Sequence, residues 1–137
     1  MRYILDTNII IRFLANDHPE HSLDSYRLFE KASKGELILL LDPIIITECV
    51  HVLKGKYYQL SREKICELLT KIIEFTEVES DQKDVTIAAL VHFSVHNVDY
   101  PDAYLAATAE KKRLGVLTFN TKDFKKMGVR NFLPSEI

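Results

Sequence analysis

Three short, unbroken apolar runs constrain this chain's fold more than any other feature. Tyr3-Ile4-Leu5, the stretch 36–41 (ELILLL) and Val116-Leu117-Thr118-Phe119 lack the alternation of a half-solvated strand. Continuous runs of this length fit strands buried on both faces, as in a parallel sheet. The first marks a strand over 2–6, the second a strand over 36–41 and the third a strand over 116–119. Between them lie stretches with helical spacing, long enough to cross from one parallel strand to the next.

Local punctuation places those helices. A short one occupies 7–15, and a longer one 19–34, with Pro19 near its start, Leu23, Tyr26, Leu28 and Phe29 on its apolar side and Gly35 at its end. Asp42-Pro43 reads as an N-cap followed by a first-turn proline, opening a helix that runs to about Lys54. Ser61 caps the next, followed by Ile65, Leu68, Leu69, Ile72 and Ile73 at helical spacing. A brief strand is expected over 75–78, a helix over 81–95, and an alanine-rich helix from Pro101 that stops by Gly115. A last strand falls at 129–132. The expected fold is α/β: a three-layer α/β/α sandwich around a central, mostly parallel sheet of four or five strands, forming one domain over 1–137.

Charge and cysteine usage narrow the function classes. Eighteen Lys and Arg against 20 Asp and Glu leave a net charge of −2, without the basic excess of a simple phosphate-backbone binder. An enzyme that meets phosphates through metal ions is not excluded. Cys49 and Cys66 form no CxxC pair and are expected to be reduced, as in a cytoplasmic protein. No membrane span is expected, because Asp42-Pro43 interrupts the most apolar stretch. Asp6 and Arg12 break the N-terminal one, so no leader is expected there.

Ligands of such sheets gather at the carboxyl ends of the strands. Asp6 ends the first strand, and Glu48 lies in the second turn of the helix leaving the second. Asp102 lies in the first turn of the helix feeding the strand 116–119, which runs out into Asn120 and Asp123. Each acid has a bland structural role: Asp6 and Asp123 as helix caps, Asp102 as a favourable first-turn charge, Glu48 as half of an ion pair. Glu48 is the hardest to explain that way, since Ile44, Ile45, His51 and Val52 suggest a core-facing stripe around it. Collectively, like charges converging on one edge repel unless a hard cation joins them. Mg²⁺ needs only one or two carboxylates plus water and substrate phosphates, and suits phosphodiester hydrolysis.

The segments ILDTNIIIRFL, TECVHVL, VDYPDAYLAATA and LTFNTKDF stand around Asp6, Glu48, Asp102 and Asn120 in that order. Together they resemble the motifs of PIN domains, especially the VapC-like toxin ribonucleases, over essentially the whole chain. The resemblance implies an Mg²⁺- or Mn²⁺-dependent endoribonuclease acting on single-stranded RNA, frequent homodimers and often a cognate antitoxin. Asp6, Glu48 and Asp102 match the family's first three metal-site acids, with Thr7, Asn8 and Thr118 in supporting positions. The sequence departs at the fourth acid: Asn120 stands where many members have Asp, and Asp123 follows three residues on. Asp123 is therefore a further metal candidate, with Asn120 supporting. Arg12, Lys122, Lys125 and Lys126, with Arg130 nearby, are candidate RNA contacts, a solvated face being the alternative for the lysine group. His92 and His96 stand four apart, a zinc-compatible spacing with no third ligand, and are expected to be ordinary histidines. Competing classes are a non-cleaving PIN-like RNA- or partner-binding protein and a housekeeping PIN nuclease. A phosphoaspartyl phosphatase would want an acid at position 8, and a receiver domain an acidic pair after the first strand.

Overall fold

Short side-chain caps set the helix boundaries in this chain. The computed structural model describes residues 1–137. Asp42 accepts a hydrogen bond from the Ile44 N–H at 3.0 Å, and Ser61 one from the Lys64 N–H at 3.1 Å, so both predicted caps form. The elements run β1 (Arg2–Ile4), α1 (Thr7–Ala15), α2 (Pro19–Ser33), β2 (Ile38–Leu40), α3 (Pro43–Lys54), α4 (Arg62–Glu74) and β3 (Val78–Glu79). They continue with α5 (Lys83–Val95), α6 (Tyr100–Lys112), β4 (Val116–Leu117), α7 (Thr121–Lys126) and β5 (Asn131–Phe132), ending in a 3-10 turn at Pro134–Glu136. The chain forms two compact units, Met1–Lys83 and Asp84–Ile137.

In the first unit the strands pair in the order β1-β2-β3, all parallel, with Tyr3 opposite Leu39 and Leu40 opposite Glu79. The central β2 is the buried strand, carrying a fully enclosed Leu39. Helix α1 packs on α2 and α3, and α3 on α4. Their buried faces include Ile10, Phe29, Ile46, Leu53, Ile65 and Leu69. Gly35 lies at φ +75°, the left-handed conformation that ends α2 without strain. In the second unit β4 and β5 pair in parallel, Val116 opposite Asn131. The alanines of α6 (Ala103, Ala106, Ala107 and Ala109) are buried, and α6 packs on α7 and β4. Every strand pairing in the chain is parallel, and helices separate the strands, as an α/β fold requires.

Three expectations need correction. β1 is not buried: Tyr3 and Ile4 are exposed, because β1 stands at the edge of its sheet, and only Leu5 beyond it is enclosed. The brief third strand lies at Val78–Glu79 rather than 75–78, since Phe75 caps the end of α4. The stripe around Glu48 does not face the core, because Ile44, His51 and Val52 are exposed and the buried face of α3 is Ile46, Cys49, Val50 and Leu53. An almost wholly apolar helix has no polar face to reveal its orientation, so spacing alone could not choose between these two stripes.

Candidate active site

In the first unit, the end of β1 and the second turn of α3 supply one pair of acids. Asp6 is the N-cap of α1, its backbone extended at φ −95° and ψ 157°, and its Oδ1 accepts from the Thr7 N–H at 2.7 Å. One carboxylate oxygen thereby satisfies a helix-end donor. Thr7 Oγ1 donates to Glu48 Oε2 at 2.5 Å, tying two acidic segments 41 residues apart through one hydroxyl. Both carboxylates remain exposed. Their shared field reaches Cys49, whose thiol is pushed up to about 12, first by burial and then by the charges of Glu48 and Asp6.

A cavity of about 540 Å³ opens beside this pair, lined by Asp6, Thr7, Asn8, Arg12, Tyr57 and Tyr58 among others. Arg12 Nη1 donates to both oxygens of Asp17, at 3.0 and 3.1 Å, and to the Tyr58 hydroxyl at 3.3 Å. That hydroxyl donates in turn to Asp17 Oδ2 at 2.6 Å. Arg12, a candidate RNA contact, thus lies at the cavity wall with its guanidinium held by a neighbouring acid. Sequence reasoning missed Asp17, Tyr57 and Tyr58, because the clasp joins segments 41 and 46 residues apart that share no motif.

The clasp makes a pH-dependent contribution. The Tyr58 hydroxyl, with Arg12 behind it, holds the Asp17 carboxyl below the usual carboxylate range. A carboxyl lowered by folding adds stability above its unfolded value of about 3.9 and loses it as pH falls through the folded value. Tyr58→Phe is therefore expected to cost about 1 kcal/mol at pH 7, the worth of one partly exposed hydrogen bond. Urea unfolding at pH 7 and at pH 3 should show the gap between variant and wild type narrowing in acid. An equal gap at both values would mean that the Tyr58 hydroxyl contributes independently of the charge on Asp17.

In the second unit a carboxamide joins two acids. Asn120 Nδ2 donates to Asp102 Oδ2 at 3.2 Å and to Asp123 Oδ2 at 2.8 Å. Asn120 holds the N-cap position of α7 without capping through its side chain, and its own N–H donates to Thr118 Oγ1 at 2.9 Å. Thr118 therefore shapes the loop carrying Asn120. Burial pushes the Asp102 carboxyl up against the Asn120 hydrogen bond that lowers it, and the charges of Asp99 and Asp123 add to the rise. Asp123 lies below its usual range, held by Asn120 and by Lys126, whose Nζ is 3.4 Å from Asp123 Oδ1. Lys122 and Lys125 are exposed, and Arg130 Nη2 donates to the Arg113 carbonyl at 3.2 Å.

These donors are all oxygens, the set that hard divalent cations prefer over His or Cys. Neither unit by itself gathers three or more His, Cys, Asp or Glu side chains placed to hold an ion. Asp6 with Glu48, and Asp102 with Asp123, fit a cation that takes few protein ligands and keeps its waters. The upward pressure on Asp102 is what a cation nearby would reverse. His92 is occupied, its Nε2 2.7 Å from Glu110 Oε1, and His92 and His96 form no metal cluster. Cys49 and Cys66 are free thiols. No helix is long and apolar enough to cross a membrane.

A family model described as PIN domain matches residues 3–129. Among solved structures, a chain of the complex described as VapBC2 from Rickettsia felis bound to a DNA fragment from their promoter is 18% identical to this chain. That match covers 97% of this chain and 98% of the other, with a TM-score of 0.40. A search of curated proteins finds no match.

Proposed function

The chain belongs to the PIN domain family, and on that premise we propose that it is a metal-dependent endoribonuclease that hydrolyses phosphodiester bonds of single-stranded RNA. PIN domains are generally nucleases, and this chain has the α/β pattern and parallel strand pairing of that fold. The observation that carries the proposal is the Asp6–Thr7–Glu48 arrangement, in which one threonine positions two exposed carboxylates, Asp6 through its N–H and Glu48 through its hydroxyl, with neither acid in an ion pair to Lys or Arg. A stability role alone would favour pairing such acids with Lys or Arg, as Asp17 and Asp84 are paired.

In this proposal Asp6 and Glu48 of the first unit, and Asp102 and Asp123 of the second, are the acids that would hold Mg²⁺ or Mn²⁺. Bound there, the ion supplies an activated water and neutralises charge at the leaving oxygen. The chain's own work is positional. The Thr7 N–H fixes Asp6 through Oδ1 and leaves Oδ2 outside that bond, and the Thr7 hydroxyl does the same for Glu48 through Oε2. Asn120 keeps Asp102 and Asp123 apart yet aligned, since its two amide protons can serve both carboxylates without adding a third like charge. Arg12, Lys122, Lys125 and Lys126 are the candidate contacts to the RNA strand, with Asn8 in a supporting position. The motif likeness to VapC-like toxins supports a toxin role in the cytoplasm, with a homodimer and a cognate antitoxin as partners.

The test is cleavage of an end-labelled single-stranded RNA with Mg²⁺, with EDTA, and with Mg²⁺ restored in excess. Cleavage is expected in the first and third conditions only. Cleavage indifferent to EDTA would reject the metal mechanism, and RNA binding without cleavage in any condition would favour a non-cleaving PIN-like binder.

A further inference from the structure

We propose that the exposed ring of Tyr57 is a stacking platform for one nucleobase of the single-stranded RNA that reaches Asp6. The inference rests on the nuclease reading and deepens it by naming a base subsite. Tyr57 is 82% exposed, yet it lines the same cavity as Asp6 and Asn8. A volume of about 540 Å³ is ample for one nucleotide. A lone exposed aromatic ordinarily needs no explanation. What distinguishes this one is that its surroundings are built to hold it.

The ring stands nearly edge-on to Tyr58, with centroids 4.7 Å apart and planes at 78°. Tyr58 is fixed by its hydroxyl on Asp17 and by Arg12. The turn bearing both rings is closed by Gln59 N–H on the Gly55 carbonyl at 2.8 Å and Leu60 N–H on the Leu53 carbonyl at 3.0 Å. Gln59 itself takes the left-handed conformation at φ +51°. The platform is therefore ordered before a ligand arrives, which reduces the entropy lost on binding.

The remaining chemistry of the cavity favours a base over other occupants. The Arg12 guanidinium is engaged by Asp17, so it offers no free charge to an anionic side chain. What remains is a bare π-face, the Val52 edge and the Asn8 carboxamide, beside a carboxylate proposed to act on phosphate. Single-stranded RNA presents unstacked bases that lie on aromatic rings with little regard to base identity.

The experiment measures kcat and KM on a short single-stranded RNA in Mg²⁺. It also measures quenching of a 2-aminopurine-labelled copy of that RNA in EDTA, where hydrolysis is blocked. Tyr57→Ala should raise KM by roughly 5- to 150-fold, the range expected for one lost base stack. Its kcat should hold and the quench should disappear. Tyr57→Phe and Tyr57→Trp keep a π-face and should behave like wild type. If Tyr57→Ala leaves KM and quenching unchanged while cleavage persists, the platform is wrong and the nuclease reading stands. If Tyr57→Phe is as impaired as Tyr57→Ala, the hydroxyl rather than the ring is at work and stacking is rejected. A change confined to oligomeric mass would assign the ring to a second copy of the chain and overturn the proposal. A wild-type protein that neither binds nor cleaves single-stranded RNA removes both readings together.

Discussion

Asp6→Asn is expected to fold like wild type and to cleave single-stranded RNA at least about 100-fold more slowly, the upper end of what losing a mere supporting group costs a metal site. The substitution separates two jobs held by one side chain. Asn caps a helix about as well as Asp, and its carboxamide oxygen can still accept the Thr7 N–H that Asp6 Oδ1 accepts at 2.7 Å. It cannot supply the negative charge that attracts a divalent cation. Only the helix-dipole part of the cap is weakened, about 0.3–1 kcal/mol at an exposed position. Thermal unfolding followed by circular dichroism checks the first half of the expectation, and single-turnover cleavage in Mg²⁺ the second. Asp6→Ala is the less informative variant, because it removes the cap acceptor and the charge at once. Near-wild-type cleavage by a well-folded Asp6→Asn protein would remove Asp6 from the chemistry.

Phe29→Ala should be the most destabilising single change in the first unit, by about 3–5 kcal/mol. The Phe29 ring is only 2% exposed. It packs 4.3 Å from the Phe13 ring in a tilted arrangement and 6.1 Å from Phe75 edge-on, so it links α1, α2 and the end of α4. Truncation forfeits the burial of the ring and leaves a cavity that three helices must partly collapse to fill. Aromatic geometry adds to the loss, because both neighbouring rings lose a favourable partner. Against a typical total of about 5–15 kcal/mol, the variant would be marginally folded at 37 °C. A shift of the urea midpoint measures the effect, with Phe13→Ala, at a half-buried ring, as the milder comparison. An unshifted midpoint would show that Phe29 is not part of the structural core.

Much of this architecture is written in short-range chemistry. Asp42-Pro43 and Ser61 announce their helices because a cap bond needs only residues two or three positions away, and those bonds form as expected. The alanines of α6 repeat at helical spacing and are buried as a set. Continuous apolar runs located the first, second and fourth strands, but they could not tell an edge from a centre. Leu39 is enclosed while Ile4 is exposed, although both sit in runs of the same character. The two-residue strand Val78–Glu79 is too short to carry any period, and the end of α4 displaced it from its expected place.

The candidate site divides the same way. Asp6, Glu48, Asp102 and Asp123 were legible because each follows a recognisable strand or helix start. The connections among them were not. That Thr7 bridges to Glu48, and Asn120 to both Asp102 and Asp123, depends on side-chain reach across tens of residues or around a loop. The departure from the usual fourth acid acquires a physical meaning there. A carboxamide at position 120 supplies two donors where an acid would add a further repulsion.

The clasp of Arg12, Asp17 and Tyr58 also bears on how the first unit breathes. It fastens the residues just beyond α1, where Asn16 turns left-handed at φ 50°, to the turn that follows α3. Segments cross-linked by side chains open together, so backbone amides near 17 and near 58 should share one exchange rate with deuterated solvent. Protonating a single carboxyl then loosens two stretches of backbone far apart in sequence. Acid would be felt as motion at the mouth of the cavity before it is felt as unfolding.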